Sequence, residues 1–470
     1  MTTTPALMPA ILLAVMKNQP APLKDRHYPG WHLAPVSGLM NDPNGFIQHN
    51  GRYHLFYQWN PLSCDHKVKC WGHWSSADLL NWQHEPIALV PGDEFDRDGC
   101  YSGSAVDNHG KLTLCYTGNV EFEDGTRTAW QCLAVQNDHG GFDKKGAVIP
   151  LPEGYTGHVR DPKVWKHNGI WYMVLGAQDL TLQGKVLLFR SSDLMSWGSL
   201  GEVAGGNLGG LGDAGYMWEC PDLFAIGNET FLICCPQGVV PDKKRYLNPH
   251  PSAYLAGSFD HSTGSYQHGE LHEIDAGFEF YAPQTTLAND GRRLLVGWMG
   301  VPDGEEMLQP TTEAKWIHQM TCVRELSARD GRLYQLPAAE LQQLRFGEKV
   351  YHGSADYAPT LDARRIEILL EAESGVTIDF AETLALEWDK DELRLARRSL
   401  ETGEWQYRCW CGKAFKLQIL CDHSSIEIFI NDGEGVMSSR YFPRDRARIT
   451  FAGHASIKLQ YWKLKPCRIK

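Results

Sequence analysis

The sequence predicts an all-β molecule: a five-bladed β-propeller over residues 27–335, a linker with a short helix over 336–350, and a β-sandwich over 351–470. Two observations carry this reading. A turn-and-strand unit recurs five times at near-constant spacing in the first part, and the last part changes to short alternating strands that lack the unit.

Each copy of the unit has a polar or aromatic marker, usually with a Pro nearby, then a Gly-containing turn and an apolar strand. The markers are Asp42-Pro43-Asn44, Ser102-Gly103-Ser104, Asp161-Pro162-Lys163, Glu219-Cys220-Pro221 and Tyr281-Ala282-Pro283. The turn glycines that follow, Gly51, Gly110, Gly169, Gly227 and Gly291, stand 59, 59, 58 and 64 residues apart. A period of this kind marks a repeat architecture, and each unit has room for about four short strands, the content of a propeller blade. A second element agrees: Ser75-Ser76-Ala77-Asp78-Leu79-Leu80-Asn81-Trp82 returns as Ser191-Ser192-Asp193-Leu194-Met195-Ser196-Trp197, its Trp 115 residues on. An ordinary β-sandwich with coincidental turn spacing is the competing reading. If the units are blades, the start of each first strand faces the central channel, and Asp42, Ser102, Asp161, Glu219 and Tyr281 converge on one pocket.

The segment Pro337-Ala338-Ala339-Glu340-Leu341-Gln342-Gln343-Leu344 reads as a helix. Beyond it come six alternating strands: Ile366 to Leu370, Val376 to Phe380, Leu384 to Trp388, Leu393 to Ala396, Phe415 to Leu420 and Ile426 to Ile430. Asn431-Asp432-Gly433 after the last is a hairpin signal. This spacing suggests a sandwich with a structural or interface role, and it is where an oligomer would be expected to form. At the other end, residues 1–26 form an N-terminal extension. Ala6 to Met16 is apolar, but Pro9 interrupts it, no basic residue precedes it and no Ala-x-Ala site follows, so an amphipathic helix is expected rather than a signal peptide.

A formal net charge of -12 argues against a broad nucleic-acid or anionic-membrane surface, so neither partner is expected, and an anionic small molecule would need a local basic pocket. No run of about 18 apolar residues is present to span a bilayer. The 13 Cys residues contain no Cys-x-x-Cys pair, and several (Cys115, Cys234, Cys235, Cys421) lie in apolar runs, as core residues in a reducing compartment would. A cytoplasmic protein is therefore expected, in which the sequon Asn228-Glu229-Thr230 is silent. Sixteen Trp residues fit either a β-rich fold or a sugar-binding cleft. No metal-ligand cluster, Gly-rich phosphate loop or nucleophile elbow is found, so no metal and no cofactor are expected.

Three acids at one channel mouth point to glycosidic chemistry. Cleaving an acetal needs an acid for the leaving oxygen and, on the retaining route, a carboxylate nucleophile; a third acid can hold hydroxyls and stabilise ring charge. Taken singly, Asp42 in Asn41-Asp42-Pro43-Asn44-Gly45 is also a turn residue, Glu219 an edge-strand Glu and Asp161 the partner of a structural salt bridge. Trp218 and Cys220 are expected to desolvate Glu219 and raise its pKa, and Arg160 to keep Asp161 ionised.

The motifs resemble glycoside hydrolase family 32, the invertases, and within it the bacterial branch that acts on sucrose 6-phosphate. They run through nearly the whole chain after about residue 27: Trp31-His32-Leu33-Ala34-Pro35, Leu39-Met40-Asn41-Asp42-Pro43-Asn44-Gly45, Phe56-Tyr57-Gln58-Trp59-Asn60-Pro61, Trp71-Gly72-His73, Tyr101-Ser102-Gly103-Ser104, Arg160-Asp161-Pro162, Trp218-Glu219-Cys220-Pro221-Asp222 and Phe280-Tyr281-Ala282-Pro283-Gln284. The resemblance implies a propeller and sandwich, and hydrolysis of sucrose 6-phosphate or sucrose at the fructosyl bond. A broader sucrose and raffinose invertase or a fructosyltransferase would use the same acids, and a non-catalytic sugar-binding propeller would lack one of them. It implies Asp42 as nucleophile, Glu219 as acid/base, and Asp161 with Arg160 holding fructosyl hydroxyls. Leu39, Met40, Asn41, Gln58, Tyr101 and Ser102 match substrate-binding positions, and Trp74, Tyr281 and Trp298 are expected aromatic walls, with a core role the alternative for Trp298. Departures are Tyr101 where Phe is frequent, Glu279 where Asp is usual and Val323 where Pro is common; they bear on subsites rather than on the acids. For a phosphate, the basic loop His66, Lys67 and Lys69 is the candidate, a solvated loop the alternative.

Overall fold

The structure, a computed structural model, describes residues 24–444 and 447–467. The expected N-terminal helix falls almost wholly on residues 1–23, outside the described residues. Among the described residues strands dominate, and the named helices are short 3-10 turns such as Ala339–Leu344.

The first part consists of five antiparallel sheets, each built in chain order. Their first strands are Gly38–His49, Gly99–Asn108, Tyr155–His167, Met217–Ile226 and Tyr281–Leu287, and each is followed outward by three more strands. Apolar side chains fill every junction between neighbouring sheets. Phe56 and Trp71 of the first sheet meet Leu112, Leu114 and Tyr116 of the second. Val106 and Leu133 meet Val159 and Trp171, Val174 and Leu188 meet Trp218 and Leu223, and Phe224 and Phe231 meet Leu295 and Leu326. The fifth sheet closes on the first through Leu294 and Val296 against Leu55 and Trp74. The ring is also tied by hydrogen bonds: Trp316–Ile317, from the end of the ring, pairs in parallel with Gly38 and Leu39. A closed ring leaves only short, protected inner edges and places the five first strands side by side around an axis.

The recurring sequence elements have a direct structural meaning. Gly51, Gly110, Gly169, Gly227 and Gly291 all have φ between 60° and 88°, and each turns the first strand into the second. Asn50, His109 and Asn168 before the first three also have positive φ, the conformation of the two-residue turn that suits the twist of a hairpin. The Ser-Asp-Leu-Trp element is one turn used twice. Ser76 Oγ and Ser191 Oγ each donate to the Asp two residues on, and Trp82 Nε1 and Trp197 Nε1 donate to the Leu79 and Leu194 carbonyls at 3.0 and 2.8 Å.

The second part is two six-stranded sheets packed face to face over Ile366, Ile368, Leu386, Leu395, Leu417, Ile419, Ile428 and their neighbours. The six strands read from the sequence are half of the twelve. The others are Arg345–Ser354, Leu361–Asp362, Trp405–Cys411, Gly435–Arg440, Arg448–Ala452 and Ser456–Leu464. The linker is shorter than residues 336–350: its 3-10 turn ends at Leu344, and Arg345–Ser354 already pairs with Ser456–Leu464. The two parts meet over Trp31, Leu80, Cys322 and Leu341 on one side and Leu420, Phe429 and Val436 on the other.

Candidate active site

Every first strand carries an irregularity in its pairing where the axis begins, and this is what aims the site residues. In the third, fourth and fifth sheets the same two-residue bulge sits opposite one partner: Asp161-Pro162, Cys220-Pro221 and Ala282-Pro283. Asp161, Cys220 and Ala282 have φ of 67°, 50° and 49°, so three non-glycine residues hold left-handed backbone at one structural position. Such residues persist where the surrounding structure over-determines them, and they re-aim neighbouring side chains. Equating Asp161 with Glu219 and Tyr281 was therefore one residue out. The equivalent of Glu219 and Tyr281 is Arg160, and these three touch.

Glu219 is held on both oxygens. Arg160 donates to Oε1 from Nε at 2.8 Å and Nη2 at 2.7 Å, while Tyr281 OH and Gln237 Nε2 donate to Oε2 at 2.6 and 2.7 Å. Asp42 is held similarly, with Ser102 Oγ donating to Oδ2 at 2.5 Å and Asn41 Nδ2 to Oδ1 at 3.0 Å. Asp161 Oδ2 accepts the Cys220 backbone N–H at 2.9 Å, and the Cys220 thiol lies 3.5 Å from that oxygen and 3.7 Å from Asp42 Oδ2. The three acids thus form one cluster bridged by Cys220 and clamped by Arg160.

The charges do not balance, and the protons respond. Burial, then the negative charge of Glu219, raises Asp161 to about 7 against the pull of Arg160. Burial also pushes Glu219 upward, but Arg160 and the Tyr281 hydroxyl outweigh it and hold the carboxyl below its ordinary value. This reverses the expectation from sequence. Arg160 precedes Asp161 in the chain, yet its guanidinium reaches across to the next sheet and serves Glu219.

The cluster lines a cavity of about 350 Å³ with Asn41, Gln58, Tyr101, Ser102, Tyr281 and Trp298. Below it the axis is nearly closed, with a void of about 10 Å³ among Pro43, Pro162, Pro221 and Pro283, so the cavity is blind. Leu39, Met40 and Trp74 do not line it. All three are fully buried; Met40 and Trp74 belong to the first-to-fifth sheet core, and Trp74 stacks on Tyr57 with ring centres 4.2 Å apart. Leu39 and Met40 precede the bulge and so never turn toward the axis.

Other lining residues carried no site signal in the sequence. Gln237 ends the strand behind Glu219, Arg127 begins a third strand, and Asp303 and Glu306 come from the irregular stretch after Trp298. Their type matters only because the ring brings them in. Of the basic loop, Lys67 points to solvent, whereas His66 and Lys69 line the cavity. Lys69 Nζ donates to Asn41 Oδ1 at 2.9 Å and to His66 Nδ1 at 2.8 Å, and His66 Nε2 in turn donates to Glu306 at 3.1 Å. Burial lowers the Lys69 ammonium to about 8, opposed by the charges of Asp42, Glu306 and Glu219.

Comparison with known proteins gives a consistent result. The family model described as "Glycosyl hydrolases family 32 N-terminal domain" matches residues 32–337, and "Glycosyl hydrolases family 32 C terminal" matches residues 365–463. The chain is similar to the sucrose-6-phosphate hydrolase of Salmonella typhimurium, 61% identical over 99% of both chains, and to that of Bacillus subtilis, 45% identical over 96% of this chain and 97% of the other. Among solved structures it is similar to the sucrose-6-phosphate hydrolase from Lactobacillus gasseri, with a TM-score of 0.89, 32% identity and 97% and 96% of the two chains covered. It is also similar to a Bombyx mori GH32 β-fructofuranosidase mutant in complex with sucrose, with a TM-score of 0.86, 32% identity and 98% of each chain covered.

Proposed function

Because the chain belongs to the glycosyl hydrolases family 32, we propose that it is a retaining β-fructofuranosidase that cleaves the fructosyl bond of sucrose 6-phosphate, and of sucrose, releasing fructose. On this reading the five sheets are five blades of one propeller, 27–335 is its catalytic domain and 351–470 a supporting sandwich. The observation that carries the reading is the meeting of Asp42, Asp161 and Glu219 around one blind cavity, from three separate sheets. The names of relatives at 61% and 45% identity supply the substrate.

Asp42 attacks the anomeric C2 while Glu219 protonates the leaving glucosyl oxygen; water, activated by Glu219 as base, then frees the fructosyl unit, so two inversions give retention. Ser102 and Asn41 occupy both carboxylate oxygens of Asp42 and fix its aim. The proton needs one further step. In the sugar-free pocket, below about pH 7, it resides with Asp161, while Arg160 keeps Glu219 ionised. Fructosyl hydroxyls that engage Arg160 and Asp161 loosen the clamp on Glu219, and burial then favours the protonated acid. Arg160 thereby couples substrate binding to proton placement. The many unpaired, mostly buried cysteines suit a reducing compartment, and the cytosol is the proposed location.

The direct test is hydrolysis of sucrose 6-phosphate and sucrose by the purified protein, followed by release of glucose 6-phosphate or glucose. The reading expects both to be cleaved, with higher kcat/KM for the phosphorylated sugar; release of neither product would end it.

A further inference from the structure

An enzyme that prefers a phosphorylated sugar needs a cation in its pocket that is not already neutralised, because an ion-paired arginine offers a second anion little net attraction. Four side chains able to carry positive charge line the cavity: His66, Lys69, Arg127 and Arg160. Arg160 is committed to Glu219 at 2.7 Å, Arg127 to Glu121 at 2.8 Å and His66 to Glu306 at 3.1 Å. Lys69 differs. Its two hydrogen-bond partners are the Asn41 amide oxygen and a His66 ring nitrogen, and among the described residues no carboxylate lies within ion-pair distance of it.

The chemistry of an ammonium completes the case. It has three N–H donors, and two are used, so one remains for a ligand oxygen. Lys69 is half-buried beside a carboxylate-rich cluster, where screening by water is weaker than at the surface. Its stem is also fixed: the bond to Asn41 Oδ1 turns the Asn41 amide so that Nδ2 faces Asp42, which ties the ammonium to the reacting centre through one side chain. His66, more exposed, lies between Lys69 and Glu306, which also lines the cavity.

Resting on the sucrose 6-phosphate reading above, we propose that Lys69, with His66 beside it, receives the phosphate of the substrate and sets the preference for the phosphorylated sugar. Removing the ammonium also disturbs Asn41 and hence Asp42, so the informative quantity is a ratio rather than an activity. The ratio of kcat/KM for sucrose 6-phosphate to that for sucrose is measured in the wild type, Lys69→Met, Lys69→Arg and Arg127→Met, with inorganic phosphate as a competitor of sucrose hydrolysis.

Lys69→Met is expected to lower the ratio by about tenfold or more and to weaken phosphate competition in parallel, the size of effect seen when one charge of a close pair is removed. Lys69→Arg should restore most of the ratio, and Arg127→Met should change it by less than about twofold. A wild type with no preference for the phosphorylated sugar overturns the substrate reading itself. A wild type with that preference, kept in Lys69→Met while both substrates lose activity together, overturns the Lys69 assignment alone and leaves it a support for Asn41. A ratio lost in Arg127→Met instead assigns the phosphate to Arg127.

Discussion

The seam between the two domains and the floor of the sugar pocket are built from the same materials, carboxylates and guanidinium groups removed from water, yet their charges are arranged in opposite ways. At the seam His32 lies between Asp422 at 3.0 Å and Glu427 at 2.9 Å, and Arg324 lies between Glu427 at 2.7 Å and Asp275 at 3.1 Å, all with fully buried side chains. Cations and anions alternate, and the remaining lone pairs are met: Asp422 also accepts the Gly30 and Trp31 N–H groups, Glu427 that of Cys322. Glu427 accordingly falls to about 2 despite burial, while His32 rises because both ring nitrogens face carboxylates. In the pocket three acids share one clamped arginine, and Asp161 climbs to about 7. Matched charges hold two domains in register; unmatched charges leave a proton available for chemistry.

Breaking each cluster separates these roles. Asp42→Asn should lower kcat by about 10⁴-fold or more while leaving the melting temperature within about 2 °C of wild type, since a surface of similar shape remains and only the proposed nucleophile is lost. An activity within a few-fold of wild type would remove Asp42 from the reaction. The seam should behave conversely. Arg324→Met leaves Asp275 buried without its cation and Glu427 with His32 alone, and should cost about 3–5 kcal/mol in denaturant unfolding, with kcat/KM of the folded fraction nearly unchanged because Arg324 does not line the cavity.

A finer test uses Asp161, whose folded value of about 7 lies above the ordinary carboxyl range. A group raised on folding contributes stability at low pH that is lost as pH rises through its folded value. Asparagine mimics the protonated form at every pH. Asp161→Asn should therefore gain stability over wild type as pH rises from about 4 to about 7, reaching about 1–2 kcal/mol and then levelling, while activity falls steeply. A melting temperature that drops at pH 8 would place Asp161 with the paired acids of the seam.

What the sequence disclosed follows from how far each signal reaches. The ring was legible because each sheet announces itself locally, by a turn that needs positive φ at Gly51, Gly110 or Gly169 and by a marker at the bulge. The acids were legible for the same reason. Arg160 was not: adjacency in the chain pointed it at Asp161, whereas a bulge turns successive side chains in different directions and sends it to Glu219, 59 residues on. Leu39 and Met40 share a motif with Asn41 and Asp42 but precede the bulge, and Trp74 stands on the third strand of the first sheet, packed in its core; motif membership does not encode facing. In the sandwich, Arg345–Ser354 and Trp405–Cys411 were missed because charged and half-exposed edge strands alternate poorly, and the partner of the former, Ser456–Leu464, lies far along the chain.

On the proposed mechanism, Asp42 is the nucleophile that carries the fructosyl unit between two displacements. Mass analysis of peptides from enzyme quenched during turnover of an activated fructoside, with Glu219→Gln slowing release, measures this directly. The expected result is one fructosyl unit attached to the peptide containing Asp42, and a retained anomer on transfer to methanol. A label on a peptide carrying Asp161 or another acid, or no label together with an inverted product, would contradict it.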